Sequence, residues 1–286
     1  MFAWSEAVWY TQARGGGGSM RDVLGYSGRK VVVTGCASGM GEAAARLLVE
    51  LGAEVHALDV RPVKAGVAQA LHANLAEKGS IDAAVAQLPE RVDVLLNCAG
   101  LPGPPFSNLE TMLVNFVGLR HLTEALLPRI PEGGAVASIT SVAGMGWRKN
   151  LEAVRALVAT PDFDAGRAWC EAHPEKANGY LFSKQCIIYY TKLRAAELVG
   201  RQIRMNCLSP APTATPMLPV FHQQVGKPMI DEHFRAPIGR DATPEEMAEP
   251  LVFLGSRMAR FVSGQNLFVD YAYEAQIDAG LRPALL

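Results

Sequence analysis

The stretch Val31-Val32-Val33-Thr34-Gly35-Cys36-Ala37-Ser38-Gly39-Met40-Gly41 joins an apolar, β-branched run to a glycine-rich turn and then to a helical pattern. It reads as strand, phosphate loop and helix. Glycines at such a turn let the backbone bend sharply and approach a pyrophosphate, and the following helix offers unpaired N–H groups and a partial positive charge. A second short apolar run, Glu54 to Leu58, ends at Asp59. A carboxylate at the tip of a second strand can accept hydrogen bonds from both hydroxyls of an adenosine ribose and would repel a 2′-phosphate. Strand, turn, helix, strand and acid in that order point to a dinucleotide site.

Working outward, the 286 residues are 49% hydrophobic and 19% charged, enough to bury a large core. Lysine plus arginine (27) nearly balances aspartate plus glutamate (28), for a formal net charge of -1, so charge does not favour a nucleic-acid partner. Cys36, Cys98, Cys170, Cys186 and Cys207 are odd in number, lie mostly in apolar segments and form no C-x-x-C pair. They read as reduced thiols of a cytoplasmic protein. The six histidines are scattered without i, i+4 pairing, so no metal site is expected. No apolar run is long enough to span a membrane.

Gly15-Gly16-Gly17-Gly18-Ser19 in front of Met20 reads as a flexible linker, which makes residues 1–19 an appended segment and residues 20–286 the folded domain. The peptide before the linker carries Phe2, Trp4, Trp9 and Tyr10, an aromatic density that suggests a binding peptide with a partner of its own.

Beyond the first strand, Glu42 to Leu51 has helical spacing and stops at Gly52, while Val67 to Leu75 holds a third strand around Leu71. Ser80 is placed to cap a helix running to Leu88. Val92 to Leu96 is a buried strand that runs into Asn97-Cys98-Ala99-Gly100, a small-residue turn where open parallel sheets bind ligands. Leu109 to Leu127 is a long helix containing Asn115, and Ala135 to Ile139 is a fifth strand ending in Thr140-Ser141. Arg148 to Asn178 interrupts the alternation as a helical insertion near the site, with helices around Leu151 to Val158 and Ala165 to Ala172. Tyr180 to Leu198 resumes as a helix and Arg204 to Leu208 as a sixth strand, with a proline-rich loop to Pro219. Thr243-Pro244-Glu245-Glu246 opens another helix with a capping box, and Asn266 to Val269 is the last strand. The alternation predicts a single α/β domain with a Rossmann-type, doubly wound parallel sheet.

Tyr180-Leu181-Phe182-Ser183-Lys184 places a phenol and an ammonium four residues apart, on one face of a helix. A nearby cation favours the phenolate and makes the tyrosine a usable acid or base. Ser141 and the glycine turn, both at strand tips, face the same crevice.

Taken together, Thr34-Gly35-x-x-x-Gly39-x-Gly41, Asn97-x-Ala99-Gly100, Asn115, Ser141 and Tyr180-x-x-x-Lys184 occur in an order that resembles the short-chain dehydrogenase/reductases over residues 29–270. The resemblance implies hydride transfer between nicotinamide C4 and a carbinol or carbonyl carbon. Tyr180 would pass the proton, Ser141 hold the substrate oxygen, Lys184 bind the nicotinamide ribose and lower the Tyr180 pKa, and Asn115 help hold a relay water. The cofactor contacts implied are Gly35, Ser38, Gly39, Met40, Gly41, Asp59, Arg61, Asn74, Leu75, Asn97, Ala99, Gly100, Tyr180, Lys184, Pro210, Thr213 and Thr215. Asp59 implies NAD rather than NADP, with Arg61 pulling the other way. Three positions depart from the family pattern, one of them mildly: Asn74 stands where the family usually has an aspartate near adenine. Pro210-Ala211 replaces Pro-Gly after the sixth strand, where a positive φ would strain an alanine, and Asp270-Tyr271-Ala272 replaces Asp-Gly-Gly after the last strand.

The long segment between Ser141 and Tyr180 resembles the bacterial 3α-hydroxysteroid dehydrogenase/carbonyl reductase branch, with its coniferyl-alcohol dehydrogenase-like members. This implies a bulky, apolar alcohol or ketone as substrate, walled by Met145, Trp147, Pro212, Met217 and Leu218, with Phe182 and Phe221 as further candidates. Subunits are expected to form a homodimer or homotetramer through the helices beginning near Leu109 and Tyr180. Two other readings are a nucleotide-binding regulatory or scaffold protein without turnover, and a carrier for the N-terminal peptide.

Overall fold

The β-branched run becomes β1 (Lys30–Thr34), the centre of a seven-stranded parallel sheet in the order β3-β2-β1-β4-β5-β6-β7. The computed structural model describes residues 22–284; the appended segment expected at residues 1–19 lies outside them. The other strands are β2 (Glu54–Asp59), β3 (Gln69–His72), β4 (Val94–Asn97), β5 (Ala135–Ile139), β6 (Arg204–Pro210) and β7 (Asn266–Val269). Because β1 pairs with β2 on one side and β4 on the other, the strand order reverses at β1. A crevice opens there beyond the carboxyl ends of the strands.

Helices cover both faces. On one face lies α1 (Gly39–Glu50), and with it α10 (Pro244–Gly255). These two bury Ala44, Leu48, Leu251 and Val252 against Val31 and Val33. Gly52, at φ +80, supplies the left-handed turn expected after α1. The capping box of α10 forms as expected, with Thr243 and Glu246 each accepting the other's backbone N–H.

The opposite face carries α2 (Lys78–Gln87), α3 (Asn108–Met112), α4 (Leu119–Leu126) and α7 (Tyr180–Glu197). Ser80 does not cap α2, which begins two residues earlier; its Oγ accepts the Asn74 N–H at 2.9 Å instead. The long helix expected from Leu109 is continuous but widened, since a π-helical segment, Leu113–Gly118, separates α3 from α4. The insertion folds as α5 (Leu151–Val158) and α6 (Phe163–Ala172), whose Val154, Leu157, Phe163 and Cys170 join the core that holds Phe116, Phe182 and Cys186.

After β6 come α8 (Leu218–Val225), the one-turn α9 (Lys227–Met229) and a second π-helical stretch, Ile230–Phe234. The last helix among the described residues is α11 (Tyr273–Asp278).

Ala211 is not strained: among the described residues, positive φ at a non-glycine occurs at Gln202, Tyr271 and Ala272. The cost lies instead at the third departure, where Tyr271 (φ 51) and Ala272 (φ 71) adopt the left-handed conformation. A residue with a Cβ there is disfavoured by roughly 1–2 kcal/mol, against which glycine's freer unfolded chain offsets about half. Ala272→Gly should therefore raise the thermal midpoint by about 2 °C; a lowered midpoint in calorimetry would contradict the strain.

Candidate active site

The crevice is built by a close approach of two strand tips. Thr34 Oγ1 accepts the N–H groups of Cys98 and Ala99, both at 3.0 Å. Gly35, at φ +72, lies so near that a Cβ there would stand 2.7 Å from the Ala99 nitrogen. A Cβ on Gly41 would stand 2.1 Å from the Gly35 carbonyl oxygen. Both glycines are thus required by space, and the turn leads straight into the N-terminus of α1. Ser38 occupies the N-cap of α1 without making the side-chain cap bond. Its Oγ instead accepts from Arg61 Nη2 at 2.7 Å, which leaves the first amides of α1 without that partner, as an anionic ligand requires.

At the edge of this loop, buried Asp59 accepts Ala37 N–H at 2.8 Å and Arg61 N–H at 2.9 Å, one on each carboxylate oxygen. Arg61 therefore bridges the tip of β2 and the glycine loop. Met40 packs partly buried on the α1 face, and Thr215 lies against Gly39, its Cγ2 3.1 Å from where a Cβ would be. Pro210 ends β6, and buried Thr213 donates to the Ala211 carbonyl at 2.7 Å. These residues fit a dinucleotide along the strand tips.

Three expected contacts have other duties for their side chains. Asn97 is buried and donates to Thr123 and Ser138 at 3.1 and 3.2 Å, away from the crevice. Asn74 shapes the turn into α2, bonding Glu77 and the Ala76 N–H. Leu75 is a core residue.

Ser141 stands at the tip of β5 as the N-cap of the 3₁₀ stretch Val142–Asn150. That stretch presses closely on α7: a Cβ at Gly144 would lie 2.6 Å from Ile188 Cδ1. The contact sets the Tyr180 phenol beside the Ser141 hydroxyl. Lys184, buried one turn along α7, donates to the Ile139 carbonyl at 3.2 Å and lies 5.4 Å from the Tyr180 ring centroid. Gly100 lies against both Asn115 and Lys184. Tyr180, Ser141 and Lys184 thus converge beside the strand tips.

The electrostatics differ from expectation. Burial raises the Tyr180 pKa, and the neighbouring Ser141 hydroxyl opposes that rise only in part. Burial also lowers Lys184, to about 8. The ammonium donates to the Ile139 carbonyl and does not overcome the desolvation of Tyr180.

Asn115 sits in the π-helical turn, where its amide accepts Leu101 N–H at 2.7 Å and donates to the Leu101 carbonyl at 3.0 Å and to Ser183 Oγ at 3.2 Å. Its side chain is therefore a clamp on the Leu101 backbone. Ser183, missed in the sequence, links that clamp to α7 by donating to the Tyr180 carbonyl at 2.7 Å; its place between Tyr180 and Lys184 was the available signal.

The candidate pocket walls separate into two groups. Phe221 of α8 meets Tyr180 edge-on, with centroids 5.0 Å apart, and Gln224 of the same helix donates to the Pro104 carbonyl at 2.6 Å. This brings Met217 and Leu218, at the start of α8, to the mouth of the crevice. Pro212 lies in the loop leading there, and Met145 is half-buried four residues beyond Ser141. Trp147 is elsewhere. It packs on Tyr189, nine residues and so about 13 Å along α7 from Tyr180. Phe182 is buried and stacks on Trp169 of the insertion, so it is core as well.

The buried Lys184 charge makes a testable difference to stability. Its pKa of about 8 lies below the usual 10.5, so the cost of burying the charge is full below pH 8 and fades as pH rises to the unfolded value. Lys184→Met should remove a penalty of ~3 kcal/mol and lose about 1 kcal/mol with the Ile139 bond. The variant should melt several degrees above the unaltered protein at pH 7 and lose that advantage near pH 10; a variant that melts lower at pH 7 would contradict this.

The chain matches the family model described as short chain dehydrogenase over residues 29–153 and the one described as Enoyl-(Acyl carrier protein) reductase over residues 170–274. The interval between them falls inside the insertion. The chain is 35% identical over 246 residues to coniferyl-alcohol dehydrogenase from Pseudomonas sp. (strain HR199), covering 85% of this chain and 95% of that protein. It is 32% identical over 266 residues to 3-alpha-hydroxysteroid dehydrogenase/carbonyl reductase from Comamonas testosteroni, covering 88% and 98%. The solved 3-alpha-hydroxysteroid dehydrogenase from Pseudomonas sp. B-0831 complexed with NADH superposes with a TM-score of 0.75 at 28% identity, over 87% of this chain and 98% of that one. The crevice, its tyrosine, serine and lysine, and these likenesses have one reading: the chain belongs to the short-chain dehydrogenase/reductase family, oxidoreductases that interconvert alcohols and carbonyls.

Proposed function

We propose that the protein is an NAD(H)-dependent dehydrogenase of a bulky, apolar alcohol, a hydroxysteroid or an aromatic alcohol, with Tyr180 as the group that passes the proton. The observation that carries this reading is the convergence of Tyr180, Ser141 and buried Lys184 beside the strand tips, with Phe221 edge-on to the Tyr180 ring. A nicotinamide cofactor, when bound, supplies the hydride donor or acceptor.

Ser141 fixes the substrate oxygen beside the phenol. Tyr180 then takes the hydroxyl proton in oxidation and returns it in reduction. Lys184 is the cation that would bind the nicotinamide ribose. Its charge, freed from the Ile139 carbonyl, would lower the Tyr180 pKa, which burial alone raises. Asn115 holds the Leu101 turn, and a relay water beside it remains part of the proposal. Asp59 supports NAD, since a carboxylate repels a 2′-phosphate, while Arg61 on the Ser38 side moderates that repulsion. Apolar Met217, Leu218 and Phe221 favour a ring-bearing substrate over a small polar one.

Among the described residues no helix is long and apolar enough to cross a membrane. All five cysteines are free, and four are buried, which supports a reducing compartment such as the cytoplasm.

The insertion packs against the helices beginning near Leu109 and Tyr180, so we propose a homo-oligomer whose subunit contact uses another face. One edge of the sheet is β7, and Phe261, shortly before it in the chain, is fully exposed. We place the subunit contact there. Phe261→Glu should reduce the particle mass seen by light scattering to that of one chain; an unaltered oligomer, or a monomeric parent, would overturn this.

For the activity, Tyr180→Phe should lower kcat by at least roughly 100-fold in NADH formation from steroid, cinnamyl and cyclic alcohols, with NADH binding little changed. NADPH formation should be the weaker reaction. Near-normal turnover in the variant, or preference for NADP, would refute the respective assignment.

A further inference from the structure

Downstream of the strained pair at Tyr271 and Ala272, the chain turns back and lays α11 against the segment that covers Tyr180. Asp270 caps this turn, its two carboxylate oxygens accepting the N–H groups of Tyr273 and Glu274 at 3.1 and 3.0 Å. Tyr273 is thereby buried to 2% exposure. Its ring lies tilted 6.4 Å from that of Phe234, the last residue of the π-helical stretch after α9. The Arg282 guanidinium sits 4.9 Å from the Tyr273 ring centroid and donates to the Arg235 carbonyl at 3.2 Å. Arg235 in turn pairs with Asp231 at 2.6 Å and Asp241 at 3.3 Å, and Asp231 also pairs with Lys227. The base of the covering segment is therefore tied to the C-terminal helix.

The tip of the segment is held differently. Phe221 rests on the Tyr180 ring, and Gln224 makes the bond to Pro104 from an exposed position. One exposed hydrogen bond is worth little against water. Of the two ends, the base thus has the stronger attachment, through a buried ring, a cation over that ring and the Arg282 bond to the Arg235 carbonyl.

We propose that Arg282 and Tyr273 anchor the segment 218–235 over the substrate, making the C-terminal helix a positioning element for substrate affinity. The strained turn is what aims that helix at the segment, and it explains why a left-handed path is kept there although neither residue is glycine. The proposal rests on the reading of the Tyr180 crevice as the site of alcohol oxidation. Neither Arg282 nor Tyr273 touches the crevice residues, so both act through Arg235 and Phe234.

The test compares Arg282→Ala with the unaltered full chain in two ways. Hydrogen–deuterium exchange should rise severalfold in peptides covering 218–235 while those of β1 and α1 stay unchanged. KM for an oxidised alcohol should rise roughly five- to tenfold with NADH affinity unchanged, because the variant loses closure over the substrate and not the cofactor crevice. Tyr273→Leu, which removes the ring beneath the guanidinium, should act in the same direction. Unchanged exchange in 218–235 would overturn the anchor. Raised exchange with an unchanged KM, or a parallel loss of NADH affinity, would overturn its role in substrate binding. The exchange measurement needs no substrate, so absence of turnover in the unaltered protein would count against the functional reading alone.

Discussion

Everything at the site depends on how closely the tip of β1 approaches the turn after β4. Thr34 takes two amides of that turn on one hydroxyl, and Gly35 comes near enough that no side chain fits between. A larger residue at Gly35 would push the β4 turn outward and carry Gly100 away from Asn115 and Lys184. The amides of α1 and the chemistry on α7 would then no longer border one crevice. The close backbone contact is thus both the fold's switch point and the frame of its active site.

Burial is what makes the residues around that frame costly. Lys184 stands in the core with a carbonyl oxygen as its partner, and Tyr180 has only a serine hydroxyl to oppose its desolvation. Lys184 carries a charge that burial disfavours, whereas Tyr180 is held in the neutral form that burial favours. The lysine is poised to change partners when a ligand binds, and it lowers stability until one does. Arg120 shows the structural counterpart: it is equally buried, yet its guanidinium donates to the carbonyls of Leu157, Val158, Thr160 and Asp162, which docks the insertion on the helix that carries Asn115.

The sheet could be read from the sequence because its signals are local. β-branched runs, strand-tip glycines and the Thr243 capping box each impose their geometry on a few neighbouring residues, and β7 and α5 begin and end where the pattern places them. The chemical residues were also readable, as a tyrosine and lysine at helical spacing need only the helix to meet. The π-helical turn at Asn115 was not: Gly118 ends it against the Leu75 carbonyl, and the amide's clamp on Leu101 arises from tertiary contact, neither of which a local pattern announces. Trp147 was misplaced because an aromatic near the site in sequence can turn toward either side of α7. The strain expected at Ala211 appeared at Tyr271 and Ala272, where the path of the chain, rather than the residue type, demands positive φ.

The most direct test of the account follows the hydride. NADH carrying deuterium in both C4 positions would be incubated with cinnamaldehyde or with a 3-oxosteroid, and the product alcohol examined by mass spectrometry. One deuterium on the carbinol carbon, formed with the unaltered protein and absent when Tyr180 is phenylalanine, is the result predicted. Saturable NADH binding with no labelled alcohol from either carbonyl would contradict it.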